Sequence, residues 1–200
     1  MKPLDPRISR LPKFGDAAQV VPKAPLDQFG TFEVFVQPKD GKPFQHEGIV
    51  HAPNLELAFI LAKESFTRRF LCVSLFVVAT QEVFVSPLTD GDQNVYTLLD
   101  DVKDGEGKTE FEIFHLVKRG KQHVHVGKVT AASPAGAMSK AKSTLNTGKT
   151  VYNVWAIAVP SIRYTSPEEQ ELWLTLPDKK FRDAADYKAG DKLTHFLESR

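Results

Sequence analysis

Hydrophobic and polar side chains follow two periods along the chain, and these periods predict its elements. Residues 31–37 (TFEVFVQ) alternate as a half-buried strand does, and turn-forming residues 38–41 follow them. A second strand over 44–51 completes a hairpin, after which Asn54 can cap a helix. The apolar positions of this helix recur at helical spacing and are Leu55, Ala58, Phe59, Ala62 and Phe66. The β-branched run 72–79 predicts a strand that is buried on both faces.

The whole pattern occurs a second time. A shift of about 79 positions aligns the two halves without a gap, so that 32–35 (FEVF) falls on 111–114 (FEIF) and His46 falls on His125. In the second copy, Ser133 supplies the helix cap before a proline, and the run YNVWAIAV predicts the last strand. Two copies are too few for a solenoid, so the repeat predicts tandem duplication of one small domain.

The repeat predicts a chain of five parts. They are an extended proline-rich arm (1–30), a first domain (31–90), a polar linker (91–108), a second domain (109–167) and a tail (168–200). Each domain has the order β-β-α-β, so we expect an α+β fold of the β-grasp or roll type. Domains of about 60 residues bury little surface alone, and we therefore expect the two to pack together as a pseudo-dimer.

The predicted tail combines many charges with a few aromatic side chains. These are Trp173, Phe181, Tyr187 and Phe196. They can attach the tail to its own domain, or they can bind another chain, because aromatic anchors are also enriched at interfaces.

Composition narrows the function classes. The chain of 200 residues has 26 basic and 25 acidic side chains, and a formal charge of +1 argues against nucleic-acid and membrane-surface binding. Cys72 is the only cysteine, which excludes an internal disulfide framework and a cysteine-rich metal site. The sequence has no apolar run of about 18 residues and no secretory signal at its start, so we expect a cytoplasmic protein that does not enter a membrane.

A search for catalytic motifs ends without a candidate. Residues 147–150 (TGKT) resemble the end of a phosphate-binding loop, but Ser143 stands where the motif needs a glycine. His46 and His51 are one residue too far apart for a helical zinc pair. His123 and His125 share a strand face, but no neighbouring carboxylate or cysteine completes a metal site. The sequence therefore predicts no catalytic residue and no metal in this chain.

Some side chains remain as candidates for contact with a partner. His46 and His125 occupy equivalent places, and each can either fix its hairpin by a hydrogen bond or contact a partner or ligand. Arg68 and Arg69 end the first helix, where they can complement the helix dipole or recognise carboxylates or an anionic ligand. The buried position of Cys72 predicts an inert core thiol.

Four motifs occur in order in the first copy. They are FEVFV at 32–36, His-x-Gly-x-x-His-Ala at 46–52, Phe-Thr-Arg-Arg at 66–69 and Cys-x-Ser before an apolar strand at 72–78. This combination resembles the B subunit family of phenylacetyl-CoA epoxidase, also called phenylacetate-CoA oxygenase. The second copy keeps the first strand, the His-x-Gly motif and the helix, but it has Thr130 in place of His51. It also lacks the Thr-Arg-Arg and the cysteine.

The resemblance implies a role in aerobic phenylacetate breakdown. The complex contains a di-iron catalytic subunit and a reductase with flavin and iron–sulfur centres, and its B subunit joins the catalytic and structural subunits. For this chain the resemblance implies a non-catalytic assembly subunit that has no cofactor of its own. His46, His51, Arg68, Arg69 and His125 are then the candidates for partner binding. The alternative is an acyl-CoA or small-ligand binding module that presents substrate to a partner enzyme.

Overall fold

A computed structural model describes residues 29–67, 72–102, 105, 109–145, 148–170, 173 and 189–199. The strands of these residues are β1 (Gly30–Gln37), β2 (Gln45–Ala52), β3 (Ser74–Ala79), β4 (Val83–Val85), β5 (Thr109–Leu116), β6 (Val124–Ala131), β7 (Asn153–Ala158) and β8 (Arg163–Tyr164). The helices are α1 (Leu55–Thr67), α2 (Pro134–Thr144) and α3 (Ala189–Glu198). The predicted α+β class is confirmed, and the strands form an open antiparallel sheet.

All eight strands of the described residues belong to one sheet, in the order β4-β7-β5-β6-β2-β1-β3-β8. In the first half β1 pairs with β2 and β3, and in the second half β5 pairs with β6 and β7 in the same way. The two halves meet where Gln45 of β2 pairs with Val124 of β6. These two residues are equivalent in the repeat, so the junction joins equivalent positions of the two halves.

The strand that follows each ββαβ unit crosses to the other half. After β3, a short turn over Thr80–Glu82 leads into β4, which pairs with β7 of the second half. After β7, the equivalent turn over Val159–Ser161 leads into β8, which pairs with β3 of the first half. The hydrophobic pattern predicted neither short strand, and it did not predict this reciprocal exchange.

Three apolar clusters hold the structure together. One lies between α1 and the first half, and a second lies between α2 and the second half. The third lies between the sheet faces that point away from the helices, and its buried members are Phe35, Phe76, Val78, Phe114 and Ile157. Although β2 and β6 separate β1 from β5, the ring centroids of Phe35 and Phe114 are only 4.6 Å apart. The sheet therefore folds back, and its two halves pack face to face.

Parts of the predicted linker and tail also enter these cores. Val95 and Tyr96 of the predicted linker are buried in the cluster beneath α2. Trp173 of the predicted tail is buried in the cluster beneath α1, and its Nε1 donates a hydrogen bond of 2.7 Å to Oγ1 of Thr67. Trp173 thus packs on the first half, not on the second domain that precedes it in sequence. Phe181, Tyr187 and residues 1–28 of the predicted arm lie outside the described residues.

Candidate functional site

Two carboxylate–histidine pairs lie between the halves, one from each copy. Oε2 of Glu33 on β1 is 2.7 Å from Nε2 of His46, and the equivalent atoms of Glu112 on β5 and His125 are 2.6 Å apart. Both glutamates are buried. Because side chains alternate along a strand, each glutamate shares its face with Phe35 or Phe114 and points away from the helix. The motif FEVF/FEIF therefore places one carboxylate per copy at the junction of the halves.

A glycine in each copy turns the histidine toward its glutamate. The register of β1 against β2 shifts beside Gly48, and that of β5 against β6 shifts beside Gly127. Their φ angles are +148° and +153°, a backbone conformation that other residues rarely adopt. Because such a shift redirects the side chains that follow it, the His-x-Gly spacing serves the Glu–His contact.

The carboxylate of Glu112 is held in its ionised form. It lies 3.1 Å from Nζ of Lys128 and accepts a hydrogen bond of 2.5 Å from the hydroxyl of Tyr164. Burial opposes ionisation, but the hydrogen bonds from His125, Tyr164 and Lys128 outweigh it, and the pKa of Glu112 falls below its ordinary value. Burial, together with the nearby carboxylate, raises the pKa of the Tyr164 hydroxyl. Glu112 therefore anchors β8 to the core between the halves.

At the other end of the junction, Glu33 has different neighbours from those of Glu112. Oε1 of Glu33 accepts a hydrogen bond of 2.9 Å from Oγ1 of Thr80. Val85 occupies the place of Tyr164, because residue 85 plus the repeat offset is 164. His123 stacks on Trp155 with ring centroids 3.9 Å apart, and burial lowers the pKa of this histidine. The two ends of the junction therefore differ although their backbones are related by the repeat.

The structure brings only some of the predicted site residues together. The backbone N–H of His46 donates to the carbonyl of His123, and that of His125 donates to the carbonyl of Phe44, so both histidines help to join the halves. His51 is exposed, and its Nδ1 lies 3.3 Å from Oγ1 of Thr31 on the neighbouring strand. Arg68 and Arg69 lie outside the described residues. The partner-binding role of these residues stays a prediction.

The sequence analysis missed Glu33, Glu112 and Tyr164 as parts of this junction. A usable signal existed, because a glutamate stands in the middle of an otherwise apolar strand in both copies. A buried carboxylate requires a partner, and the histidine of the adjacent strand is the nearest candidate. Tyr164 had no such signal, since its strand has only two residues.

The described residues do not hold a cluster of three or more metal-ligating side chains. Cys72 is buried, and burial raises the pKa of its thiol to about 12, so the thiol is protonated near neutral pH. None of the helices described combines the length and the apolar character that are needed to span a bilayer.

Comparison with known proteins identifies the family. A family model described as phenylacetic acid degradation B matches residues 28–101 and matches again over 108–194. No curated protein and no solved structure shows a significant match to the chain. The gap between the two matches lies within the predicted linker 91–108. Because the two matches together cover about four fifths of its length, the chain belongs to the phenylacetic acid degradation B family, and this membership makes it a subunit of the phenylacetate-CoA oxygenase complex.

Proposed function

We propose that the chain is a non-catalytic assembly subunit that bridges the catalytic and structural subunits of the phenylacetyl-CoA epoxidase complex. The observation that carries this proposal is the family match over both halves. The di-iron, flavin and iron–sulfur centres then belong to partner subunits, and this chain has no cofactor of its own. The contacts of the buried titratable groups support a structural role, since Glu33 and Glu112 bond to histidines and hydroxyls of the same chain.

The second part of the proposal is that the chain consists of two duplicated and diverged family domains, which pack together as a pseudo-dimer. In a twofold dimer, residues near the axis contact their own equivalents. Gln45 pairs with Val124, and the ring of Phe35 contacts that of Phe114 in a tilted arrangement; both contacts join equivalent positions of the repeat. The reciprocal crossing of β4 and β8 obeys the same symmetry.

The first half is proposed to keep the contact with the catalytic subunit. Helix α1 exposes an apolar stripe, in which Ile60 is 60% exposed; the stripe consists of Leu57, Ile60 and Leu61. Helix α2 has Gly136, Ser139 and Lys140 at the equivalent positions. Arg68 and Arg69 follow α1 directly in the sequence and have no counterpart in the second copy. Exposed apolar side chains and arginines are both typical of protein–protein interfaces.

Co-expression with the other epoxidase subunits tests this function. We expect a stable complex by size-exclusion chromatography and no stoichiometric iron in the isolated chain. Ile60→Ser, which copies the residue of α2, and the pair Arg68→Glu with Arg69→Glu should each weaken the complex at least tenfold. Ser139→Ala on α2 is the matched control and should change nothing.

Three outcomes would contradict the proposal. Stoichiometric iron in the isolated chain would exclude the non-catalytic role. Full complex formation by both sets of variants would remove the contact from the first half. Tight binding of phenylacetyl-CoA to the isolated chain, measured by calorimetry, would favour the acyl-CoA module instead.

A further inference from the structure

The strands β8 and β4 are equivalent in the repeat and lie at the two edges of the sheet. The side chains of β8 contact other residues of the same chain. The guanidinium of Arg163 lies over the ring of Phe59 at 4.2 Å and forms ion pairs of 3.0 Å with Glu56 and 2.5 Å with Glu169. Tyr164 packs beside Phe76, with ring centroids 5.1 Å apart, and its hydroxyl bonds to Glu112. Both residues of this strand thus have partners within the chain.

The equivalent residues of β4 are apolar and exposed. Phe84 replaces Arg163 and is 44% exposed, and Val85 replaces Tyr164 and is 51% exposed. Leu88 extends the apolar surface at 68% exposed. We call these three residues the β4 edge. On its inner side β4 pairs with β7, and on its outer side no strand of the described residues pairs with it.

An edge of this composition is unusual for a protein that works alone. Sheet edges are normally protected by charges, by prolines or by covering segments, because an uncovered apolar edge invites pairing with another strand. The edge at β8 carries such a charge, Arg163, whereas the strand β4 (Val-Phe-Val) carries none. The difference between the two edges therefore favours a partner at β4.

The contacts of Tyr164 at the β8 edge indicate what kind of partner segment fits at β4. At β8, an aromatic side chain on an extended strand fills the space above Phe76. At the other end, Trp155 replaces Phe76 and lies opposite Val85 in the register of β7 and β4. Valine is much smaller than tyrosine, so Val85 and Trp155 leave apolar surface on which an aromatic side chain of a partner segment can pack. Extended segments that add to a sheet edge obtain affinity from the backbone and specificity from such side chains.

We propose that the β4 edge binds an extended segment of another epoxidase subunit by strand addition, with an aromatic side chain of that segment packed on Val85 and Trp155. This inference rests on the proposed function and deepens it. The stripe on α1 belongs to the first half, whereas β4 completes the second half. The chain then has one partner surface on each half, as a bridging subunit requires.

Two substitutions that copy the occupied edge test the proposal. Phe84→Arg introduces the charge found at β8, and Val85→Tyr introduces its tyrosine. Each should raise the Kd for the partner subunits at least tenfold, while Val117→Arg, at another exposed apolar residue, should leave the Kd unchanged. Circular dichroism melts establish that each variant folds. If Phe84→Arg and Val85→Tyr bind as well as the wild type, the proposal is wrong.

Hydrogen exchange on the wild-type chain provides a test without substitutions. Ser86 already donates its backbone N–H to Val154, and Pro87 has no N–H, so the backbone amide that faces the open edge is that of Val85. This amide should become protected when the complex forms, and unchanged exchange there would overturn the assignment. A dimer of the isolated chain that Phe84→Arg abolishes would show that a second copy occupies the edge, which also overturns it. Failure of the proposed function itself looks different, because the wild type would then form no complex.

Discussion

A glutamate in the middle of a buried strand destabilises a fold unless its charge is compensated. Glu33 and Glu112 meet this condition with a histidine from the neighbouring strand and a hydroxyl from a crossing segment. The compensation is unequal, because Lys128 contacts Glu112 as well as Glu110, whereas the uncharged Ile49 stands at the equivalent position of the first copy. Single residues therefore stabilise the two ends of the junction to different extents.

Substituting the two glutamates should reveal this inequality. Glu33→Gln and Glu112→Gln should both lower the free energy of unfolding, and Glu112→Gln should cost about 1 kcal/mol more because it leaves more charged or polar partners uncompensated. Urea unfolding near neutral pH, followed by circular dichroism, measures both. Equal losses would contradict the assignment of Glu112 as the stronger anchor.

The pH dependence of Glu112 has a definite sign. Its pKa is lower in the folded chain than in the unfolded one, so its stabilisation is present above the ordinary carboxyl pKa and is lost as pH falls through the folded value. Stability of the wild type should therefore fall below about pH 4.5, and Glu112→Gln should fall less steeply there. Parallel curves for the two proteins would rule out this contribution.

His115 should add a second pH dependence at less acidic values. Its Nε2 lies 2.7 Å from the hydroxyl of Tyr96, and burial together with nearby His123 lowers its pKa from 6.5 to about 4. The unfolded chain binds a proton first, so stability should fall as pH decreases from 6.5 toward 4, by up to about 3 kcal/mol. His115→Val with Tyr96→Phe should flatten the curve of unfolding free energy in this range. An unchanged slope would assign the effect to other groups.

At the scale of elements, the glycine register shifts and the crossing strands define the junction. A Cβ added at Gly127 would lie 2.8 Å from Cδ2 of Leu145, and one at Gly48 would lie 3.1 Å from the ring of Phe66. Each hairpin thus passes close beneath the end of its helix. The positive φ at these glycines and the close contact act together, so the hairpin and the helix end depend on one another.

Gly127→Ala should therefore lower the free energy of unfolding by about 1–3 kcal/mol. Thermal melts measure the loss, and adding Leu145→Ala should not restore stability fully, since the backbone strain remains. Gly190→Ala in α3 is the control, because a Cβ there meets no atom within 4 Å. It should be neutral or slightly stabilising. A tolerated Gly127→Ala would show that the hairpin adjusts without cost.

At the scale of the whole molecule, the exchange of β4 and β8 makes the halves depend on each other. Strand β4 of the first half pairs with β7 of the second half, and β8 of the second half pairs with β3 of the first. The aromatic cluster around Phe35 and Phe114 lies between the two halves. Interfaces that contain exchanged strands behave as obligate contacts, because separation removes backbone pairing as well as apolar packing.

A protease site inserted at Gly105 tests this dependence. The cut chain should elute from a native sizing column as one species with the mass of the intact protein, and only denaturing gels should separate the fragments. Either fragment expressed alone should lack a cooperative unfolding transition. Two separately folded fragments would show that the strand exchange contributes little.

Local periodicity was sufficient to predict the α+β class, the repeated ββαβ order and the positions of the long elements in both copies, but it did not predict the ten-residue helix α3 in the tail. The predicted first strand, 31–37, differs by one residue from β1 (Gly30–Gln37), and the predicted cap Asn54 accepts a hydrogen bond from the N–H of Leu57. These features depend on side chains that are neighbours along the chain, and such neighbours determine the period of a strand or a helix.

Only the tertiary structure decided how the halves meet. Strands of three and two residues are too short to show a period, so β4 and β8 could not be predicted from the pattern. Their pairing, the burial of Trp173 beneath α1 and the bond from Tyr164 to Glu112 all join residues that are far apart in sequence. Nothing in the local pattern distinguishes a strand that returns to its own sheet from one that crosses, because the choice depends on the surface that the other half presents.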